Sequence, residues 1–213
     1  MLNFSEILPA AEGEEAAVDL SDAISNRWFI ESIERGTYPQ VVLDGLGSHM
    51  PPRWQEDMAT ISAPIDRLGV NYYSRAIVSH DADAPWPSTR GHEGPLPKTQ
   101  MGWEIYPEGL GNLLMRMARD YVGALPIFVT EDGMAWDDHV QDGEVEDTVR
   151  RNYVAAHLDA ARQAIAGGPM CRASSTGRCW TITNGRSATR RGSGLCMSIS
   201  TRCGARQRLP TRR

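Results

Sequence analysis

Apolar residues recur at helical spacing in three stretches of the chain, with apolar runs of strand length between them. Ala16, Leu20, Ala23, Ile24 and Trp28 fall near one face of a helix predicted over about 14–34. Thr37-Tyr38-Pro39 ends it, because proline cannot continue the hydrogen-bond ladder. A second face, Leu110, Leu113, Leu114, Met117 and Tyr121, lies between Pro107-Glu108-Gly109 and Gly123. A third helix is predicted over about 146–166, with Val149, Tyr153, Leu158, Ala161 and Ile165 in phase and Gly167-Gly168 as its stop. The runs Leu68-Gly69-Val70-Asn71-Tyr72-Tyr73 and Ile127-Phe128-Val129-Thr130-Glu131 read as strands that end in polar groups. In parallel α/β folds that end of a strand is where ligands and catalytic groups gather. The segment 76–100 is rich in Pro, Gly, Asp and His and reads as one extended loop.

Charge divides the chain in two. Residues 1–168 hold 12 Lys and Arg against 27 Asp and Glu, whereas residues 169–213 hold 10 Arg, no Lys and no acid. Cys171, Cys179, Cys196 and Cys203, all the cysteines present, fall in that second stretch, which shows neither helical nor strand periodicity. The break marks either a module boundary or a change in what is being translated, and gives two segments, 1–168 and 169–213. No run of 18 apolar residues exists, so no membrane partner is expected. The first residues lack a basic and then apolar leader, so a cytoplasmic location is expected.

Candidate chemistry is concentrated at Glu131. Taken alone, Thr130-Glu131-Asp132-Gly133 reads as a strand end followed by an acidic turn. The competing reading is a carboxylate raised at the rim of a barrel. Tyr73 and Trp103 are equally open to reading as core aromatics, while Asn71, polar at the end of an apolar run, fits a core poorly. His80 and His92, near Asp81, Asp83 and Glu93, lack tight ligand spacing, so no metal is expected. The cysteine spacings fit neither a zinc pattern nor, without a secretion signal, a disulfide framework. An arginine-rich tail could neutralise phosphates, but nothing else in the chain points to nucleic acid.

Four segments, taken in order, resemble family 1 glycoside hydrolases, the retaining β-glucosidases. They are Asn26-Arg27-Trp28-Phe29 with Arg35-Gly36-Thr37-Tyr38-Pro39; Leu68-Gly69-Val70-Asn71-Tyr72-Tyr73-Ser74-Arg75; Met101-Gly102-Trp103-Glu104-Ile105-Tyr106-Pro107-Glu108-Gly109; and Ile127 to Asp138, with Thr130-Glu131-Asp132-Gly133 at its centre. The usual family form of the last is Thr-Glu-Asn-Gly, so Asp132 is a departure. The resemblance implies a partial (β/α)8 TIM barrel, about strands five to seven with their helices, with strand five at Leu2-Asn3-Phe4. It implies a cofactor-free hydrolase of terminal β-D-glucosyl residues, acting on a β-glucoside or short β-linked oligosaccharide. Glu131 would be the catalytic nucleophile, Tyr73 its hydrogen-bond donor, Asn71 a neighbour facing the sugar 2-hydroxyl, and Trp103 a flat face for the aglycone. The family's acid/base motif, Thr-Phe-Asn-Glu-Pro, does not occur, so the chain is expected to be inactive alone.

The tail has an explanation in the genetic code. If each codon borrows the last base of the codon before it, Met170-Cys171 gives Val, Cys179-Trp180 gives Leu and Trp180-Thr181 gives Asp without ambiguity. The remaining steps, through Arg202, are compatible with the family's strand-eight motif, Trp-Ser-Leu-Leu-Asp-Asn-aromatic-Glu-Trp. The expectation is therefore a single-nucleotide shift near residues 168–170 and a disordered tail. Two other readings stay open: a basic-tailed nucleic-acid-binding protein, and a half that is complemented by a separately encoded partner.

Overall fold

The computed structural model describes residues 2–167 except 124, 139, 142, 143 and 146, together with the two-residue segments 174–175 and 199–200. The four cysteines, and the predicted disorder of the tail, lie outside the described residues.

The chain alternates strands and helices: β1 (Leu2–Pro9), α1 (Glu15–Asp22), α2 (Trp28–Arg35), α3 (Gln40–Leu46), α4 (Trp54–Ile61), β2 (Leu68–His80), β3 (Thr89–His92), α5 (Pro107–Met117), β4 (Ile127–Glu131) and α6 (Thr148–Gly167). β1, β2 and β4 are parallel, with β2 in the middle. Parallel neighbours require crossovers of this length, and the helices fill them. Leu68, Val70 and Tyr72 of β2 alternate onto the buried face, where they meet Ile30, Leu110, Leu114 and Met117 from the helices. Burying a side chain of this size contributes about 1.5–3 kcal/mol. Gly69, Asn71 and Tyr73, one residue out of phase, therefore belong to the opposite face of the sheet.

The predicted first helix is one course of helix interrupted by a π-helical turn at Ala23–Arg27. Its extra residue serves Asn26, which is 1% exposed. The Asn26 amide donates to the Ser5 carbonyl at 2.8 Å and accepts from the Ser5 N–H at 3.2 Å, so it satisfies β1 main chain as a neighbouring strand would. Beyond Met117, a second π-helical turn, Ala118–Val122, completes the predicted second face.

The loop expected over 76–100 is only partly a loop. β2 continues to His80, and Thr89–His92 returns antiparallel along it. Ala76, Ile77 and Val78 suit a strand, and the turn residues between 81 and 88 made the whole stretch look irregular. Helices α3 and α4, unforeseen in the sequence, are short because Gly47, Pro51 and Pro52 interrupt them.

Candidate active site

Two irregularities in strand pairing aim the site. Between β2 and β4, Val70 pairs with Val129 and Asn71 with Glu131, so Thr130 is an extra residue. Without it, the period of two would place Glu131 on the same face as Ile127 and Val129, which pack into the core. The bulge returns Glu131 to the face of Asn71 and Tyr73. Between β1 and β2 the register shifts as well: Phe4 pairs with Tyr72, but Glu6 pairs with Arg75. Tyr73 sits within that shift. Asn3, Asn71 and Glu131 thus form one row across three parallel strands.

Hydrogen bonds fix the row. Tyr73 Oη donates to Glu131 Oε2 in a short bond. Asn71, 5% exposed, donates from Nδ2 to Asn3 Oδ1 at 2.7 Å and accepts at Oδ1 from Thr130 Oγ1 at 2.7 Å. Both ends of the amide are used, which sets its orientation, and one N–H of Nδ2 is left over for a ligand. Asn71 is paired with Glu131 in register, while its side-chain hydrogen bonds go to Asn3 and Thr130.

Glu131 and Tyr73 open onto a cleft of about 540 Å³ that Trp103, Arg75 and Glu104 also line. Trp103 is 37% exposed, so it is not a core aromatic, and its ring lies 5.5 Å from that of Tyr73. It rides on a small hairpin closed by Thr99 N–H to the Trp103 carbonyl and Ile105 N–H to the Pro97 carbonyl, both 2.8 Å. Gly102, at φ 78°, makes its turn. The hairpin is tied to β2 by Arg75 Nε to Glu104 Oε2 at 2.7 Å, and the Arg75 guanidinium lies over the Tyr106 ring at 4.5 Å.

Two further carboxyl groups, Glu104 and Glu93, line this cleft. Burial pushes Glu104 up, but Arg75 and the Leu96 N–H outweigh it and hold the carboxyl below its usual range. Lys98 lowers Glu93 in the same sense. Both are therefore carboxylates at neutral pH, unsuited to protonating a leaving group. The two histidines considered for a metal do not come together: His80 pairs with Thr89, and His92 with Ile77, at opposite ends of the β2–β3 ladder. His92 Nε2 instead meets Ser79 Oγ at 2.7 Å. No helix among the described residues is long and apolar enough to cross a membrane.

Sequence reasoning missed Asn3 and Tyr153. Asn3 carries no motif, and its position one step before Phe4 on a parallel strand is the only signal. Tyr153 of α6 was assigned to an apolar face, and at 2% exposure it is buried, yet its hydroxyl donates to Asp132 Oδ1 at 3.0 Å.

Similarity to known proteins covers most of the chain. The family model described as glycosyl hydrolase family 1 matches residues 1–185. β-Glucosidase A of Thermotoga maritima is 40% identical over 164 residues, covering 75% of this chain and 36% of that protein. A 1,4-β-D-glucan glucohydrolase of Thermotoga neapolitana is 37% identical, over 75% of this chain and 38% of its own length. Among solved structures, a Thermotoga maritima family 1 glycoside hydrolase complexed with a cyclophellitol analogue matches with a TM-score of 0.76 at 37% identity, over 84% of this chain and 40% of that one. A β-glucosidase from Exiguobacterium marinum matches with a TM-score of 0.77 at 32% identity, over 85% of this chain and 41% of that one. The chain thus spans less than two-fifths of the length of these curated relatives.

Proposed function

Because the chain belongs to glycosyl hydrolase family 1, we propose that it is the nucleophile-bearing part of a retaining β-glucosidase and corresponds to about strands five to seven of the barrel. Its substrate class is a β-glucoside or short β-linked oligosaccharide. Glu131 attacks the anomeric carbon and forms the glycosyl-enzyme; a water later cleaves that ester with retention. The observation that carries the reading is the Tyr73–Glu131 hydrogen bond at the floor of an open cleft. By occupying Oε2, Tyr73 orients the side chain and leaves Oε1 as the attacking atom. Asn71 offers its remaining N–H toward the sugar 2-hydroxyl, and Trp103 presents its exposed face to the aglycone.

The second carboxyl group that this chemistry requires, about 5–5.5 Å from the nucleophile in retaining enzymes, must hold a proton. Glu93 and Glu104 do not fit that role. General acid help is worth about 10²–10⁴-fold, and the sugar-positioning motif is missing as well, so no meaningful turnover is expected of this chain by itself. The tail, 169–213, is read as the out-of-frame remnant of strand eight. Sequencing the encoding DNA across codon 169 tests that reading: a shifted frame that spells the strand-eight motif supports it, and one that does not ends it.

The test of function is complementation. The chain is co-produced with the portion of Thermotoga maritima β-glucosidase A that it does not match, and hydrolysis of an aryl β-glucoside is measured. Activity that needs both parts and is lost in E131Q supports the reading. A well-formed complex without activity refutes it.

A further inference from the structure

β2 and β4 stop pairing at Asn71 and Glu131, so their ladder ends at Glu131 and does not reach Tyr73, the side chain that must stay in register with it. What lies beyond the ladder is Tyr153, buried on α6. Its hydroxyl donates to Asp132 Oδ1 at 3.0 Å, one residue past Glu131, and the same oxygen is 3.5 Å from the main-chain carbonyl of Tyr73. From this geometry we infer that Tyr153 is a positioning residue for the nucleophile: its hydroxyl anchors the turn after β4 to α6, beside the main chain of β2, and so holds Glu131 against Tyr73. The inference rests on the reading of Glu131 as nucleophile and adds a residue on a different helix to that site.

The surroundings of Tyr153 are built to hold it. His157 stacks on its ring with centroids 3.8 Å apart, and His157 Nδ1 meets the Tyr153 carbonyl at 2.8 Å. A carbonyl only accepts, so that nitrogen carries the hydrogen. Among the described residues His157 Nε2 has no hydrogen-bond partner, and the ring packs as a plate behind Tyr153. The helix itself is pressed against α5 at Gly111, where an added Cβ would stand 3.3 Å from the Ala160 carbonyl. Burial and the nearby Asp132 both push the Tyr153 hydroxyl up, so it keeps the proton it donates. Burial likewise pushes Asp132 up, against the pull of His157 and of the Tyr153 and Gly133 hydrogen bonds. Either form of that carboxyl group offers Tyr153 an acceptor, and so does the asparagine usual in the family.

The test is nuclear magnetic resonance of the full chain labelled with 13C at the tyrosine ζ-carbon. Six tyrosines give few enough signals to assign, with Y73F identifying Tyr73. A tyrosine donating to a carboxylate has a downfield ζ-carbon, so E131Q moves the Tyr73 signal upfield. Y153F is expected to move the same signal in the same direction. D132N, which keeps an acceptor for Tyr153, leaves it in place, and D132A moves it. If Y153F does not fold, D132A carries the test, since it removes the acceptor and keeps the ring. The proposal is overturned if E131Q moves the Tyr73 signal while Y153F or D132A does not, or if E131Q itself leaves it unmoved. A complemented enzyme without activity would end the functional reading but leave this shift pattern intact. Activity with an unmoved Tyr73 signal would end only the positioning role.

Discussion

Asp22 offers the clearest energetic prediction. Its side chain is 11% exposed and receives four hydrogen bonds: two from the terminal guanidinium nitrogens of Arg116, at 2.6 and 2.6 Å, one from Asn26 at 2.7 Å and one from Arg27 at 3.1 Å. The pair joins α1 to α5, and through Asn26 it reaches β1. Removing one partner from a fully buried ion pair costs about 3–5 kcal/mol, and an exposed pair is worth about 0.2–1 kcal/mol. The Arg116 side chain is 31% exposed, and Arg27 and Asn26 remain when it is lost, so R116M is expected to cost about 2 kcal/mol. D22N and the double variant complete a cycle whose coupling is expected at about 1–2 kcal/mol. Burial pushes Asp22 up, but the Arg116, Asn26 and Arg27 contacts outweigh it and hold the folded carboxyl below its ordinary value. A depressed folded value means that the contribution is present above the unfolded value of about 4 and is lost as pH falls through the folded one. The coupling should therefore be full at pH 7 and shrink below about pH 4. Pulse proteolysis in urea at low chain concentration measures it. Single changes that add within about 0.5 kcal/mol at pH 7 would refute the reasoning.

Three other outcomes follow from the geometry. Leu114 is fully buried in the core, so L114A should cost about 2–5 kcal/mol in the same assay. Deleting Thr130 removes the bulge and turns Glu131 toward the helices; the complemented enzyme should then lose all turnover, whereas T130S, which keeps the bulge and the hydroxyl, should retain it. In the same complex, Y73F removes a hydrogen bond to a charged group worth about 1.5–3 kcal/mol, so kcat should fall about 10–100-fold with a smaller change in KM.

Helices and the parallel sheet were legible because their apolar positions repeat with the right period. Leu110, Leu114 and Met117 sit in the core through that arithmetic alone, whereas on the first helix Ala16 is exposed and the core residue is Ile30, outside the predicted face. The site was legible differently. Period-two reasoning puts Glu131 on the wrong face, and only the resemblance singled it out; the bulge at Thr130 that re-aims it leaves no mark in the sequence pattern. Asn26 shows the same limit. Its motif was recognisable, but its service to the Ser5 main chain depends on a π-helical turn that no spacing announces. Tyr153 was read as apolar, which is right for its ring and silent about its hydroxyl.

The retaining mechanism stands or falls on a covalent bond to one atom group. The chain, complemented as above, is treated with a 2-deoxy-2-fluoro-β-glucoside bearing a good leaving group, then digested and weighed by mass spectrometry. A fluoroglucosyl adduct on the peptide that contains Glu131, absent in E131Q, is the predicted result. Turnover by the complex with the adduct on another residue, or with none, would contradict it.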